Sequence, residues 1–417
     1  MVYNCYDMNA YNLHIIKTDK FKTITVEIAF RRKIKKEEIT IRNLLKELII
    51  NSSYNYPTEK KLIIETEKLY DLKLLTSNYR IGNSTIFSLK SRFLNEKYTE
   101  EGMNKESIRF LLDILFNPRL DNEVDKCKKR LEKSINSLSD NKVKYSLFKL
   151  LEHTGNMPYS YNSYGYLDDL EKITHEDILA YYNDMIRNDI IDVFVVGEVS
   201  DKEIKEIFKE YFKVTTYHKQ KIDIITKELS NVRKIKEYNE KDNVNQTQLA
   251  ILYNVKGLTD RERKYVFPVY GEMLGGSSNS ILFENVRGKN SYAYYVNSIV
   301  KSYDNIMMVY SGIDGNNTND VKKIIDKSLK EINKGKIDKD KFESAKKTII
   351  SGIKASLDNP MGIINNYYAK MLVNSDDIDV RIENVNNVSI NEIISLSKKI
   401  SMYSYFVLEA SNEEDNN

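Results

Sequence analysis

From Thr23 to Phe30, apolar Ile24, Val26, Ile28 and Phe30 alternate with Thr23, Thr25 and Glu27, the period of a strand with one wet face. The next stretch places Ile41, Leu44, Leu45, Leu48 and Ile49 every three or four residues, which predicts an amphipathic helix. Pro57 and Thr58 open a second helix that runs to about Tyr70. Two strands, Leu72–Tyr79 and Ser84–Phe93, flank a turn at Gly82 and Asn83. Long helical patterns cover Lys105–Phe116 and Asn122–His153. A helix from His175 to Ile186 then leads into an apolar strand, Ile190–Val196, and Asp201 starts another helix.

The order then recurs. A strand at Gln248–Val255 precedes a helix at Asp260–Leu274, which Gly275 and Gly276 end. A short helix at Asn279–Val286 is followed by two strands, Tyr292–Val300 and Asn305–Ile313. Helices follow at Asp320–Asn333, ended by Gly335, and from an N-cap at Asp338 to Leu357. A last helix at Asn391–Ile400 leads to a strand at Met402–Glu409. Strand, two helices, hairpin, long helices and final strand thus occur twice, which predicts a duplicated α+β unit with an antiparallel-rich sheet in each half. The charged, aperiodic stretch after Val214 reads as a linker. The predicted division is residues 1–213, a linker at 214–242, and residues 243–417.

Composition narrows the classes. With 417 residues, two cores are expected rather than one. Lys and Arg total 64 against 61 for Asp and Glu, a net charge of +3 that gives no reason to expect a nucleic-acid or membrane-surface partner. Apolar runs such as Val193–Val196 are far shorter than the roughly 20 residues of a membrane helix. The first residues, with Asn4, Asp7, Asn9 and Asn12, lack the basic start and apolar block of a secretory signal, so a cytoplasmic location is expected. Cys5 and Cys127 cannot build a disulfide framework or a cysteine zinc site. Neither has a His neighbour in the sequence, and a neighbour in space stays open.

Several runs together resemble the insulinase-like (pitrilysin-type) metallopeptidase family. They are Leu13-His14-Ile15-Ile16 with Phe21-Lys22-Thr23, Tyr54-Asn55-Tyr56-Pro57, Leu115-Phe116-Asn117-Pro118, Pro158-Tyr159 with Gly165, and Ile173-Thr174-His175-Glu176-Asp177. The strongest is Leu274-Gly275-Gly276-Ser277-Ser278-Asn279-Ser280-Ile281-Leu282-Phe283, continued by Val286-Arg287. The likeness runs from about Leu13 to Ala410 and is nearest to the YmfF-like bacterial branch, described as non-peptidase homologues associated with modification of elongation factor P. The resemblance implies two homologous halves that close as a clamshell.

Active members of the family carry His-x-x-Glu-His on the first helix, shortly before a Tyr-Pro. Here Tyr56-Pro57 places that signature on Asn43-Leu44-Leu45-Lys46-Glu47. Positions 43, 46 and 47 share a helical face. Zinc takes imidazoles or carboxylates, and Asn43 is a poor ligand. Lys46 stands where the general base belongs and is cationic at neutral pH. Glu47 alone is not a site. A third ligand would fall near Lys126–Glu132, with Asp125 and Glu132 as its carboxylates. His14, His153, His175 and His218 form no pair with ligand spacing. No bound metal and no other cofactor is expected.

The resemblance also implies an Arg and a Tyr from the second half. Arg287 and Tyr294 stand at the family's spacing, with Tyr292 as the register alternative. A tyrosine hydroxyl can donate to an oxyanion, and an arginine fork can hold a substrate carboxyl or backbone. The competing reading has Arg287 capping the short helix or pairing with Glu284, and the tyrosines packing. Gly275-Gly276 lacks the downstream Gly-Lys-Ser/Thr of a phosphate loop, and no Gly-x-Ser-x-Gly elbow occurs. Two functions follow from the resemblance. One is a non-catalytic subunit that lends Arg287 and Tyr294 to a zinc-bearing homologous chain, as a heterodimer, with homodimerisation as the other pairing. The other is a scaffold that holds a peptide or protein in its chamber without cutting it.

Overall fold

The computed structural model describes residues 1–214, 221–230, 232–314 and 317–410. They divide into two compact units. The first is Met1–Asn136 with Asn162–Asp223, and the second is Ser137–Tyr161 with Ile224–Asn417.

In the first unit β1 (Val2–Asp7), β2 (Asn12–Lys17), β3 (Thr23–Lys33), β4 (Lys73–Ile81), β5 (Ser84–Leu94) and β6 (Ile190–Gly197) form a six-stranded sheet in the order β1-β2-β6-β3-β5-β4. Only the β2/β6 pairing is parallel. The second unit has β7 (Lys236–Asp242), β8 (Thr247–Val255), β9 (Ala293–Lys301), β10 (Ile306–Ile313) and β11 (Ile400–Ala410) in the order β7-β11-β8-β10-β9. Its one parallel pairing is β7/β11. Laid side by side, β2-β6-β3-β5-β4 and β7-β11-β8-β10-β9 have the same order and the same pattern of strand senses, and β1 is an addition to the first. The duplication seen as recurring periods in the sequence is therefore a duplication of topology.

The periodic stretches form as their spacing predicts. α1 (Ile39–Ile49) buries Leu44, Leu45, Leu48 and Ile49 against Phe30, Phe87, Leu89 and Leu111. Thr58 caps α2 (Glu59–Lys68), and Gly82 takes the left-handed turn (φ 53°) between β4 and β5. α3 (Met103–Phe116) ends where the chain doubles back. There Tyr54 N donates to Asn117 O and Arg119 N to Ser52 O, so two of the family-like runs pair with each other. The expected Asn122–His153 helix is two, α4 (Val124–Asp140) and α5 (Lys142–Glu152), because Asn141 turns extended and caps the second. α6 (Leu167–Lys172), α7 (His175–Asn188) and α8 (Asp201–Tyr211) complete the unit. α7 opens on a capping box between Thr174 and Asp177, which leaves His175 in its first turn as expected.

Three expectations need correction. β3 has no wet face: Thr25 and Glu27 are buried with its apolar positions, and Glu27 accepts from Ser88 Oγ at 2.5 Å. The stretch assigned to the linker contains β7, whose sequence Lys-Glu-Tyr-Asn-Glu-Lys-Asp shows no apolar alternation. Parallel pairing to β11 along its length makes it a strand. The first domain is not continuous to residue 213. Residues 137–161 belong to the second unit, where Leu150 of α5 and Tyr159 pack with Leu229, Ala250, Leu252, Ile306 and Phe406 on one face of the second sheet. The other face of that sheet meets the helical run from Glu262 to Gly276, which contains α9 (Phe267–Gly271), and then α10 (Thr318–Asn333), α11 (Lys339–Ala355) and α14 (Ile390–Ser397). Helices α12 (Pro360–Val373) and α13 (Ile378–Asn386) have no counterpart in the sequence reading. Among the described residues no helix is long and apolar enough to cross a membrane.

Candidate functional site

The positions equivalent to the zinc signature lie in the middle of α1. Asn43 is 5% exposed and fully engaged. Its Nδ2 donates to Ile39 O at 3.0 Å and to Ser163 O at 2.9 Å, and its Oδ1 accepts from Asn78 of β4 at 3.2 Å. Asn78 also donates to Arg42 O, and Thr76 Oγ1 to Lys46 O, so this side of α1 is stitched to β4. The loop that Asn43 holds is fixed again at Thr40, which accepts from Tyr166 N. Gly165 sits between them with φ +105°, and a Cβ there would lie 2.7 Å from Thr40 Oγ1. That accounts physically for a glycine at this point of the family-like run. Lys46 Nζ lies 3.2 Å from Glu47 Oε1, and both side chains are partly exposed. The three positions therefore do not present one open polar face.

Beneath this helix is a buried charge network. Arg42, 2% exposed, donates to Phe30 O, Tyr181 Oη and Asp189 Oδ2, while Arg32 donates to the other oxygen of Asp189 and to Asp184 and Glu38. Burial opposes the charge on each guanidinium, but Asp189 and Tyr181 keep both pKa values above the ordinary arginine value. The network anchors the start of α1 to β3, α7 and the entry to β6.

The segment expected to bring a third ligand is on α4. Its core face carries Cys127, Leu131 and Ile135, and burial pushes the Cys127 thiol up to about 11. Asp125, Lys128, Lys129 and Glu132 line a shallow groove of about 330 Å³ with Leu167 and Glu171, and Lys128 donates to Ile173 O. A zinc ion does not fit this donor set. The first position is an amide whose oxygen and nitrogen are used, the second is an ammonium, and the only carboxylate is paired to that ammonium. Among the described residues, no three His, Cys, Asp or Glu side chains stand close enough to share a metal.

In the second unit Arg287 and Tyr294 are both exposed. Arg287 ends the helical turn Phe283–Gly288 with its guanidinium 5.1 Å from the Phe283 ring centre. It does not pair with Glu284, which is held by Lys289 at 2.6 Å and Lys341 at 2.7 Å and lowered to about 2 by them. Tyr294 is the second residue of β9, an edge strand. Opposite it the ladder slips: Ile313 faces Ala293 and Gly312 faces Tyr295, so Tyr294 is the bulged residue. The bulge separates the three nearby tyrosines. Tyr292 packs against the core, and Tyr295 donates to Gln248 and packs near Tyr310. Tyr294 is 54% exposed, and its hydroxyl has no hydrogen bond among the described residues. Of the two register alternatives, Tyr294 is the one available to a ligand.

Gly271 and Gly275 run along β9: a Cβ on either would meet Val300 or the Ser298 backbone within 2.7 Å. The glycines before the short helix thus permit close helix–strand approach, as well as ending a helix.

The histidines differ among themselves. His153 stacks on Tyr238 at 3.6 Å, and His175 begins α7. His218 lies outside the described residues. His14 is 2% exposed on β2, beside Asp192 and opposite Cys5, an arrangement of residues 5, 14 and 192 that sequence spacing does not reveal.

These features place the chain among the insulinase-like peptidase folds, and comparison with known proteins agrees. The peptidase M16 inactive domain matches residues 172–349. The chain is thus similar to M16 peptidases, and to their inactive type in particular. It is 26% identical over 408 residues to the probable inactive metalloprotease YmfF of Bacillus subtilis (strain 168), covering 95% of each chain. It is 24% identical over 303 residues to the uncharacterized zinc protease YmxG of the same bacterium, covering 71% of this chain and 72% of that one. A solved structure of a conserved protein from Enterococcus faecalis V583 superposes with a TM-score of 0.92 at 27% identity, over 99% of both chains.

Proposed function

We propose that this chain is the non-catalytic member of a two-chain peptidase assembly, lending Arg287 and Tyr294 to a homologous chain that carries zinc. The observation that supports this most is an asymmetry. The zinc-helix positions are committed to contacts inside their own unit, whereas Arg287 and Tyr294 are exposed, with no side-chain hydrogen bond on either among the described residues. In this reading Tyr294 donates to the oxyanion that develops at a scissile carbonyl, and Arg287 holds a backbone or carboxyl group of the substrate. One bacterium that encodes a relative of this chain named as inactive also encodes one named as a zinc protease, which is the pairing this reading requires.

The second reading is a non-hydrolytic scaffold that holds a peptide or protein, tied to elongation factor P modification in the cytoplasm. The relative matched along 95% of the chain is named a probable inactive metalloprotease, which favours it. Co-purification with a zinc-bearing homologue, followed by a peptide turnover assay on the complex, separates the two. The first reading expects turnover by the complex alone, and its loss in Arg287→Ala and Tyr294→Phe. Full activity in both variants overturns it, and a stable complex with no turnover supports the scaffold.

A further inference from the structure

β1 is the edge of the first sheet, and its register sets Cys5 directly opposite His14, so the two side chains share one face. On the other side of β2 lies β6, in register Asn12 to Asp192 and His14 to Phe194. The His14 ring is stacked on Phe194, with centres 4.4 Å apart. Its Nε2 lies 3.4 Å from Asp192 Oδ1, and its Nδ1 lies 2.9 Å from the Tyr3 hydroxyl. Asn12 Nδ2 donates to the same Asp192 oxygen at 3.0 Å, which fixes the carboxylate. Asp192 and His14 are buried, and Cys5 is exposed. A thiol thus faces, across the strand pair, a buried imidazole that a carboxylate orients, and three strands bring these groups together.

We propose that Cys5, His14 and Asp192 form a nucleophilic cysteine site whose substrate class is hydroperoxides. The electrostatics agree with the geometry. Burial opposes charge on His14, but Asp192 and the facing Cys5 outweigh it and push the ring up to about 9. The charged ring across the strand pair, aided by the Tyr3 hydroxyl, holds the Cys5 thiol below its ordinary value. Around Cys5 the backbone is an extended strand, not a turn or helix start that would converge N–H groups on an oxyanion, so acyl transfer is poorly served. A hydroperoxide needs only a thiolate and one proton. The sulfur attacks the terminal oxygen, the S–O bond forms as the O–O bond breaks, and the electron pair leaves on the second oxygen. That oxygen takes the proton from the His14 imidazolium, releasing water or an alcohol. Cysteine is oxidised by two electrons to sulfenic acid and the peroxide is reduced.

The test is mass spectrometry on the full chain, with the pH profile of iodoacetamide alkylation measured first and dimedone trapping after hydrogen peroxide second. Cys127, buried with a raised thiol pKa, is the internal control. Expected are alkylation of Cys5 already at pH 6.5, and a dimedone adduct on the peptide holding Cys5. In His14→Gln or Asp192→Asn that alkylation should fall roughly tenfold or more, one pKa unit being a factor of ten in thiolate. The wild-type profile needs no variant to fold. A Cys5 that alkylates only above pH 8, or that gives no sulfenic adduct, overturns the proposal.

Discussion

The Asn43 amide donates to the Ser163 carbonyl at 2.9 Å, across 120 residues of sequence. The position that carries a metal-binding imidazole in active relatives is here a tether between α1 and the loop before α6. A ligand must direct a lone pair outward, whereas Asn43 is buried and both ends of its amide are bonded within the unit. Lys46 and Glu47 neutralise each other beside it. Purified chain, loaded with zinc and desalted, is therefore expected to retain none at stoichiometric level by elemental analysis. One zinc per chain would show that ligands are recruited from outside this helix.

The Arg42–Asp189 pair makes a sharper claim about stability. Asp189 accepts from both Arg32 and Arg42 with no exposure of its own side chain. Asp189→Ala leaves the buried Arg42 guanidinium without its carboxylate and takes one of three from Arg32, with an expected loss of about 3–5 kcal/mol. Urea unfolding measures it. A loss below about 1 kcal/mol, the range of surface pairs, would mean that water reaches the network.

How far the sequence carries depends on what each element rests on. α1, β3, β6 and β8 write their burial into apolar periods, so their places were readable. β1 and β7 rest on backbone pairing at sheet edges, where side chains such as Asn4, Glu237 and Asn239 leave no period to read. The break at Asn141 is a cap, a local competition that an amphipathic count passes over. The spacing of Arg287 and Tyr294 was visible, but the bulge that singles out Tyr294 is a property of the β9/β10 register. Cys5, His14 and Asp192 meet only because β6 lies beside β2, and no local pattern encodes that.

The bulge gives a contrast within one dipeptide. The Tyr294 hydroxyl is exposed, so Tyr294→Phe is expected to change stability by less than about 0.5 kcal/mol. Tyr295 donates to Gln248, and Tyr295→Phe leaves that buried acceptor open, at a cost of about 1 kcal/mol. Thermal melts of both variants test the register. Equal losses would place both hydroxyls in the fold and remove the reason to regard Tyr294 as available.

The pH dependence of stability follows from two opposed shifts on one strand pair. His14 faces Tyr3 and Cys5 of β1 and Asp192 of β6, and is raised from 6.5 to about 9. A raised pKa stabilises the fold fully below 6.5, and that contribution is lost as pH climbs through 9. Cys5 is lowered from 9.0, so its contribution is present above that value and is lost as pH falls through the folded pKa. Where both shifts act, the folded chain holds a proton on His14 that the unfolded chain has released, and lacks one on Cys5 that the unfolded chain keeps. The counts cancel, and the wild-type slope between 6.5 and 9 should be shallow. Cys5→Ser removes one side of the balance while leaving Asp192 to raise His14. Its stability should then decline with rising pH across that window, and His14→Gln in the same background should flatten it again. Urea midpoints at intervals across the window decide the matter. A Cys5→Ser chain as flat as the wild type would mean that His14 is neutral in the folded state.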